Sequence, residues 1–290
     1  MKEMKGIFPA LITPMNKDYS INFGNFKKLI DFCLDSGIDG FYIGGSTGEG
    51  MLMTSEERKQ VFREVKKCVS DAVPMIAHVG TVSTDEAIGM ALEAKKLGYD
   101  AISAVAPFYY GFSVDAIKQY YTDIVSAADM PMYIYNFKAG TGFGLTPQTA
   151  KEIFDSDPRF VGVKHTSNDL FALEQFKATI GNITVFNGYD EICLGGLSMG
   201  ADGAIGSTYN FMGKKFVKLY DAFKSGDMIT ASKLQKEANE IISVMCKYGV
   251  LQCEKEILTQ MGIDVGPCRR PFLPVDDEAK RAVSKLIDLI

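Results

Sequence analysis

Phe160-Val161-Gly162-Val163-Lys164-His165-Thr166-Ser167 brings a short apolar run to a lysine and follows it at once with small polar residues. The lysine amine therefore stands at the rim of a core. An ammonium is strongly hydrated, so partly apolar surroundings favour the neutral amine, which is a usable nucleophile. A strand can also end in a lysine whose stem packs while its head reaches solvent, a purely structural role. The rest of the chain bears on the choice.

Working outward from this strand, residues 6–13, 40–43, 75–78, 101–106, 132–136, 160–164, 184–187 and 204–206 read as apolar strands alternating with amphipathic helical stretches. Thr54-Ser55-Glu56-Glu57 supplies a helix cap with a carboxylate in the first turn, and Thr84-Asp85-Glu86 does the same for the next helix. The runs are too apolar to have one wet face, which implies a parallel sheet buried on both sides. Eight strands, each followed by a helix, predict an α/β fold, a (β/α)8 TIM barrel over residues 1–224. The alternation then stops. Residues 228–247, 252–261 and 276–290 read as helices joined by an irregular segment rich in Gly and Pro, a C-terminal helical appendage over 225–290. No linker separates the two parts, so the appendage is expected to pack on the barrel.

The length of 290 residues suits such a barrel, and 47% hydrophobic with 23% charged residues describes a soluble globular protein. A formal net charge of -5 without a basic cluster argues against nucleic acid or an anionic membrane as partner and leaves small molecules. The N-terminus lacks an apolar stretch long enough for a signal sequence, and no segment approaches a membrane span. Six scattered cysteines show neither CxxC pairs nor neighbouring His, so no metal site or disulfide framework is indicated and the cytosol is the expected compartment. Cys193 and Cys246 sit in apolar stretches and are expected to pack as small hydrophobes.

In such a barrel, chemistry gathers at the carboxyl ends of the strands. The second strand runs into Gly44-Gly45-Ser46-Thr47-Gly48-Glu49-Gly50, whose glycines let backbone N–H groups approach an anion while Ser46 and Thr47 add hydroxyls. Its spacing matches neither a P-loop nor a dinucleotide fingerprint. The fourth and fifth strands end near Tyr109-Tyr110 and in Tyr133-Ile134-Tyr135-Asn136, tyrosines that can relay protons beside a cation or simply cover the barrel mouth. Asn187-Gly188-Tyr189-Asp190-Glu191 and Gly206-Ser207-Thr208-Tyr209-Asn210 add polar groups suited to a polyhydroxylated ligand, although Asp190 and Glu191 can also cap a helix. Of the two histidines, His78 reads as a core or rim residue, and His165, next to the lysine, should face the opposite side of its strand.

The motifs Gly-Gly-Ser-Thr-Gly-Glu at 44–49, Gly-Val-Lys-His-Thr-Ser at 162–167, Asn-Gly-Tyr-Asp-Glu at 187–191 and Gly-Ser-Thr-Tyr-Asn at 206–210 resemble the dihydrodipicolinate synthase and N-acetylneuraminate lyase family of pyruvate-dependent class I aldolases. The last two point to its sialic acid branch, and the likeness runs through Pro267-Cys268-Arg269-Arg270-Pro271-Phe272. The resemblance implies that Lys164 forms an imine with pyruvate and that Tyr135 is the acid/base group, with Ser46 and Tyr109 relaying the proton. It also implies that Ser46 and Thr47 hold the pyruvate carboxylate, while Thr166, Gly188, Asp190, Glu191 and Ser207 hold the sugar hydroxyls. No metal or organic cofactor is implied. Tyr109 is implied to reach a neighbouring subunit's site, hence a homotetramer. Two departures stand out: where the family usually continues Ile-Pro-Ala after Tyr135-Asn136, this chain has Phe137-Lys138-Ala139-Gly140. Lys138 is a second candidate imine former or a solvated charge, and Gly140 falls where the synthase branch carries an arginine for its second substrate. The leading expectation is cleavage of N-acetylneuraminate. A different aldolase such as dihydrodipicolinate synthase, or a barrel that senses small acids without catalysis, are the alternatives.

Overall fold

Eight parallel strands, β1 (Gly6–Pro9), β2 (Phe41–Ile43), β3 (Met75–His78), β4 (Ala101–Val105), β5 (Met132–Asn136), β6 (Phe160–His165), β7 (Thr184–Asn187) and β8 (Gly203–Gly206), pair in the order β1-β8-β7-β6-β5-β4-β3-β2. The sheet closes through a parallel bridge between Ala10 and Tyr42, where the Leu11 N–H donates to the Tyr42 carbonyl at 2.8 Å. This is a (β/α)8 barrel. The computed structural model describes residues 3–290; residues 1 and 2, with which the expected barrel span and N-terminal segment begin, lie outside them.

The helices are α1 (Phe26–Asp35), α2 (Ser55–Val69), α3 (Thr84–Lys96), α4 (Val114–Ala128), α5 (Lys138–Thr141), α6 (Pro147–Ser156), α7 (Leu170–Ile180), α8 (Cys193–Ser198), α9 (Tyr209–Ser225), α10 (Met228–Tyr248), α11 (Val250–Gln260) and α12 (Asp277–Ser284). The capping box of α2 forms as read, with Thr54 and Glu57 bonding each other's backbone N–H. The cap of α3 is Ser83, not Thr84, because the Ser83 side chain accepts from the Glu86 N–H. Residues 6–13 do not all join the sheet: beyond the bridge the Ile12 N–H turns to the Asn210 side chain at 3.1 Å, so the strand ends at Pro9. α12 also stops short of the expected 290, giving way to a 3-10 turn at Ile287–Leu289. Among the described residues no helix is long and apolar enough to cross a membrane.

Alternation along each strand sorts side chains into two apolar regions. Phe8, Tyr42, Ile76, Tyr133, Tyr135, Phe186 and Ile205 fill the barrel lumen, while Met132, Ile134, Val163 and Val185 pack outward under the helices. One irregularity matters for the site. Between β5 and β6 the register shifts, so that Met132 pairs with Phe160 but Tyr133 pairs with Gly162. This bulge at Val161 sets Lys164 opposite Tyr135, a lumen residue; an unbroken ladder would have set it opposite Asn136, which faces the helices. Glycine is needed at the bulge, because a Cβ at 162 would lie 2.3 Å from the Thr184 carbonyl oxygen.

Candidate active site

At the carboxyl ends of the strands lies a cavity of about 390 Å³. Lys164, on β6, is only 5% exposed, and its Nζ lies 3.7 Å from the centroid of the Tyr135 ring and 5.0 Å from that of Tyr42. The amine thus sits within the rim, held over two ring faces that attract its cationic form. The Tyr135 ring stacks on Phe137 at 5.6 Å and meets Tyr42 and His78 edge-on at 6.1 and 5.8 Å. Tyr42 donates to Ser103 Oγ at 3.1 Å, which anchors the second ring from below.

His78 is fully buried behind these tyrosines. Its Nε2 accepts the Val105 N–H at 3.3 Å, and its Nδ1 lies 3.1 Å from Arg58 Nη2 and 3.3 Å from the Gly44 carbonyl oxygen. Burial above all, with help from the Arg58 and Lys164 charges, holds its pKa well below the usual range, so the ring is neutral. Arg58 donates to the His78 carbonyl at 2.5 Å and to the Gly80 carbonyl at 3.0 Å, bracing the root of the 44–50 loop. Ser46 and Thr47 on that loop line the cavity. Glu49 turns away: it pairs with buried Lys255 of α11 at 2.5 Å and accepts the Arg269 N–H at 2.5 Å.

Thr166, Gly188, Asp190, Glu191 and Ser207 form the far wall. Asp190 does not cap a helix. Its Oδ2 accepts the Thr208 N–H at 2.8 Å and the Thr208 hydroxyl at 2.7 Å, fastening the loop after β7 to the loop after β8. Burial pushes its carboxyl up to about 6 against the pull of those two bonds. The fastening needs Gly206, since a Cβ there would fall 1.7 Å from Asp190 Oδ1. From α10, Gln235 donates to the Asp190 carbonyl at 3.0 Å and Asn239 to the Glu191 carbonyl at 2.9 Å, so this helix braces the wall.

Of the residues singled out in the sequence, Lys164, Tyr135, Ser46, Thr47, Thr166, Gly188, Asp190, Glu191 and Ser207 line one cavity. Tyr109 does not line it in this chain. It is 86% exposed, with φ of 81°, and packs edge-on against Tyr110 at 5.0 Å. Lys138 is exposed and outside the lining, as the solvated-charge reading expects. A Cβ at Gly140 would lie 2.4 Å from the Phe137 ring, the ring that stacks on Tyr135. His165 faces the helices as expected, its Nδ1 3.1 Å from Asn136 Nδ2 and its Nε2 3.0 Å from the Asp169 carbonyl. Cys193 is buried, but Cys246 corrects its expectation: it is exposed and lines the cavity.

The sequence reading gave no site role to Tyr42, to Phe137 or to the residues after α9, of which Ile242, Cys246, Val250, Leu251, Glu254 and Phe272 line the cavity. The available signal was Glu254-Lys255, two charges within the otherwise apolar face of α11. A larger cleft of about 600 Å³ lies beside Met15, Lys255 and Pro267, but none of its lining residues belongs to β1–β8. The smaller cavity is the one at the carboxyl ends of the strands, where barrels of this kind gather their chemistry.

A lysine presented from a barrel strand to a hydroxyl-lined cavity marks a class of Schiff-base aldolases built on this fold. Residues 3–290 match the dihydrodipicolinate synthetase family, and the chain belongs to it. It is 41% identical over 285 residues to an N-acetylneuraminate lyase of Rhizobium meliloti, covering 98% of this chain and 95% of that one. Among solved structures it is similar to CdNal from Clostridium difficile in complex with mannosamine, with a TM-score of 0.96, 35% identity and 99% of each chain covered. It is also similar to a catalytic lysine mutant of Ruminococcus gnavus sialic acid aldolase, with a TM-score of 0.95 and 32% identity over 98% of this chain and 95% of that one.

Proposed function

We propose that this chain cleaves N-acetylneuraminate reversibly to pyruvate and N-acetylmannosamine through an imine on Lys164. The observation that carries the reading is the buried Lys164 amine, 3.7 Å from the Tyr135 ring centroid, in a cavity whose other wall is Thr166, Asp190, Glu191 and Ser207. The names of its relatives, N-acetylneuraminate lyase and sialic acid aldolase, support the choice of substrate.

In this reading Ser46 and Thr47 hold the substrate carboxylate while Lys164 Nζ attacks the carbonyl carbon of the open-chain sugar acid and water leaves. The iminium draws the electrons of the carbon–carbon bond two atoms away, so cleavage leaves a neutral enamine instead of a free carbanion. Tyr135 takes the proton of the hydroxyl that becomes the aldehyde as it passes its own proton on through Ser46 and the Tyr109 of an adjoining subunit, and one proton returns by the same relay to the enamine carbon. Protonation of the enamine and hydrolysis then free pyruvate and the amine. Thr166, Gly188, Asp190, Glu191 and Ser207 grip the hydroxyl chain, and a shortened chain leaves these groups unpaired. The arrangement calls for a homotetramer and for no metal or organic cofactor, and a small soluble substrate suits the cytosol. Gly140 and Phe137 disfavour the synthase alternative, since an arginine at 140 would displace the ring stacked on Tyr135.

Borohydride reduction in the presence of pyruvate, followed by peptide mass spectrometry, should leave a stable adduct on Lys164. Absence of any adduct would sink the imine mechanism, and an adduct on Lys138 would move the assignment. Pyruvate release from N-acetylneuraminate then fixes the substrate. Condensation of pyruvate with aspartate semialdehyde without that release would favour the synthase.

A further inference from the structure

Glu254 stands in the wall of the cavity and the proposed mechanism does not use it. It projects from α11, is 0% exposed, and neither carboxyl oxygen has a hydrogen-bond partner of ordinary geometry. Such a group is costly to keep without a purpose, because an unpaired buried carboxyl forfeits its hydration and recovers nothing. The salt-bridging Lys255 beside it is committed to Glu49 and to the Thr13 and Pro267 carbonyls. The groups acting on Glu254 are Ser207, whose hydroxyl stabilises the ionised form, Asp190, whose charge opposes it, and, least of the three, the Lys255 charge, which favours it. Burial, with Asp190 acting the same way, outweighs Ser207 and Lys255 and pushes the carboxyl up to about 8, so near neutrality it is an uncharged acid with one proton to donate.

From this juxtaposition we propose that Glu254 is a positioning residue for the hydroxyl-chain end of the site, a buried carboxylic acid behind Ser207 that donates to the Ser207 hydroxyl when ligand fills the cavity. With its lone pair engaged from behind, Ser207 points its own proton at a ligand hydroxyl oxygen. The inference rests on the reading of this cavity as a sugar-acid site. It concerns binding of the hydroxyl chain, not imine formation.

The test is a mutant cycle on the full-length protein, assayed for N-acetylneuraminate cleavage. Glu254→Leu should raise KM about tenfold, the worth of one well-placed hydrogen bond, and leave kcat within about threefold. Glu254→Gln, which keeps a donor at the same length, should restore KM to within about threefold of the parent. Ser207→Ala should match the loss of the Leu variant, and the Glu254→Leu/Ser207→Ala pair should add nothing further, because both changes remove one coupled contact. The Leu variant should melt no lower than the parent, since it replaces an unpaired polar group with an apolar one. Additive losses, an unchanged KM in Glu254→Leu, or a Gln variant as impaired as Leu would each overturn the proposal. A parent enzyme that forms the pyruvate adduct yet cleaves no N-acetylneuraminate would instead overturn the sugar-acid reading beneath it.

Discussion

Lys164 reaches the lumen because Gly162 permits a bulge. A Cβ at 162 would sit 2.3 Å from the Thr184 carbonyl oxygen and 2.4 Å from the Tyr133 ring, both in the rigid sheet. Gly162→Ala is therefore expected to cost about 1–3 kcal/mol of stability, as overpacking does, and to slow formation of the reducible pyruvate adduct by at least about tenfold. Calorimetry and borohydride trapping measure the two effects; a variant that keeps both values would show that the bulge is not what aims the lysine. Glu254 offers a second residue-level outcome. Its pKa is raised on folding from an ordinary 4.5 to about 8, so its stabilising contribution is complete below about pH 4.5 and is lost as the pH climbs through about 8. Glu254→Gln and the parent should then melt together at low pH, with Gln gaining steadily from about pH 4.5 to about 8 and levelling off above that; a constant difference would mean that the carboxyl is not neutral in the fold. The strand and its lysine were legible from the run 160–164 alone. The bulge is signalled in the sequence only by the glycine at 162 inside the strand run, and the register that it sets belongs to a pair of strands.

The appendage acts on the barrel through α11. Lys255, 2% exposed, ties Glu49 to the Thr13 and Pro267 carbonyls, and Arg269 beyond it grips Glu57 of α2 at 2.8 Å and the Tyr19 carbonyl at 2.9 Å. The helix thereby clamps the base of the Ser46–Thr47 loop. Lys255→Met strands the buried Glu49 carboxylate and should cost about 3–5 kcal/mol, whereas Glu49→Leu with Lys255→Met should regain most of that. Urea unfolding of the two variants checks the order; a single variant as stable as the double would show that water reaches Glu49. The same contacts predict that a chain ending at residue 224 fails to fold as the intact barrel does, because it lacks both this clamp and the Gln235 and Asn239 bonds to the far wall. Periodicity located the helix near 252–261, but its task spans more than 200 residues of sequence. The glycine-rich motif likewise disclosed a tight loop without disclosing that its carboxylate faces the interior.

At the scale of the whole molecule, one aromatic surface stands apart from the cavity in its own chain. Tyr109, Tyr110 and Phe112 form an edge-to-face row with centroids 5.0 and 5.8 Å apart, and Tyr109 holds a left-handed backbone at φ 81°. A strained, 86% exposed tyrosine gains nothing from solvent, while a second subunit would cover the ring and use the hydroxyl. Assembly is a property of surfaces in pairs, so the single sequence could suggest it only through resemblance. In solution the chain is expected to sediment as about four copies of 31.8 kDa, and Tyr109→Ala to lose at least about tenfold in kcat while still forming the pyruvate adduct. Complementation separates a role across subunits from a local one. Lys164→Ala and Tyr109→Ala subunits are each deficient alone, but mixed tetramers contain sites with Lys164 from one chain and Tyr109 from the next. Refolding the two together in equal amounts should restore about a quarter of parental activity, the product of two independent halves. Recovery no greater than the sum of the separate variants would confine Tyr109 to its own chain.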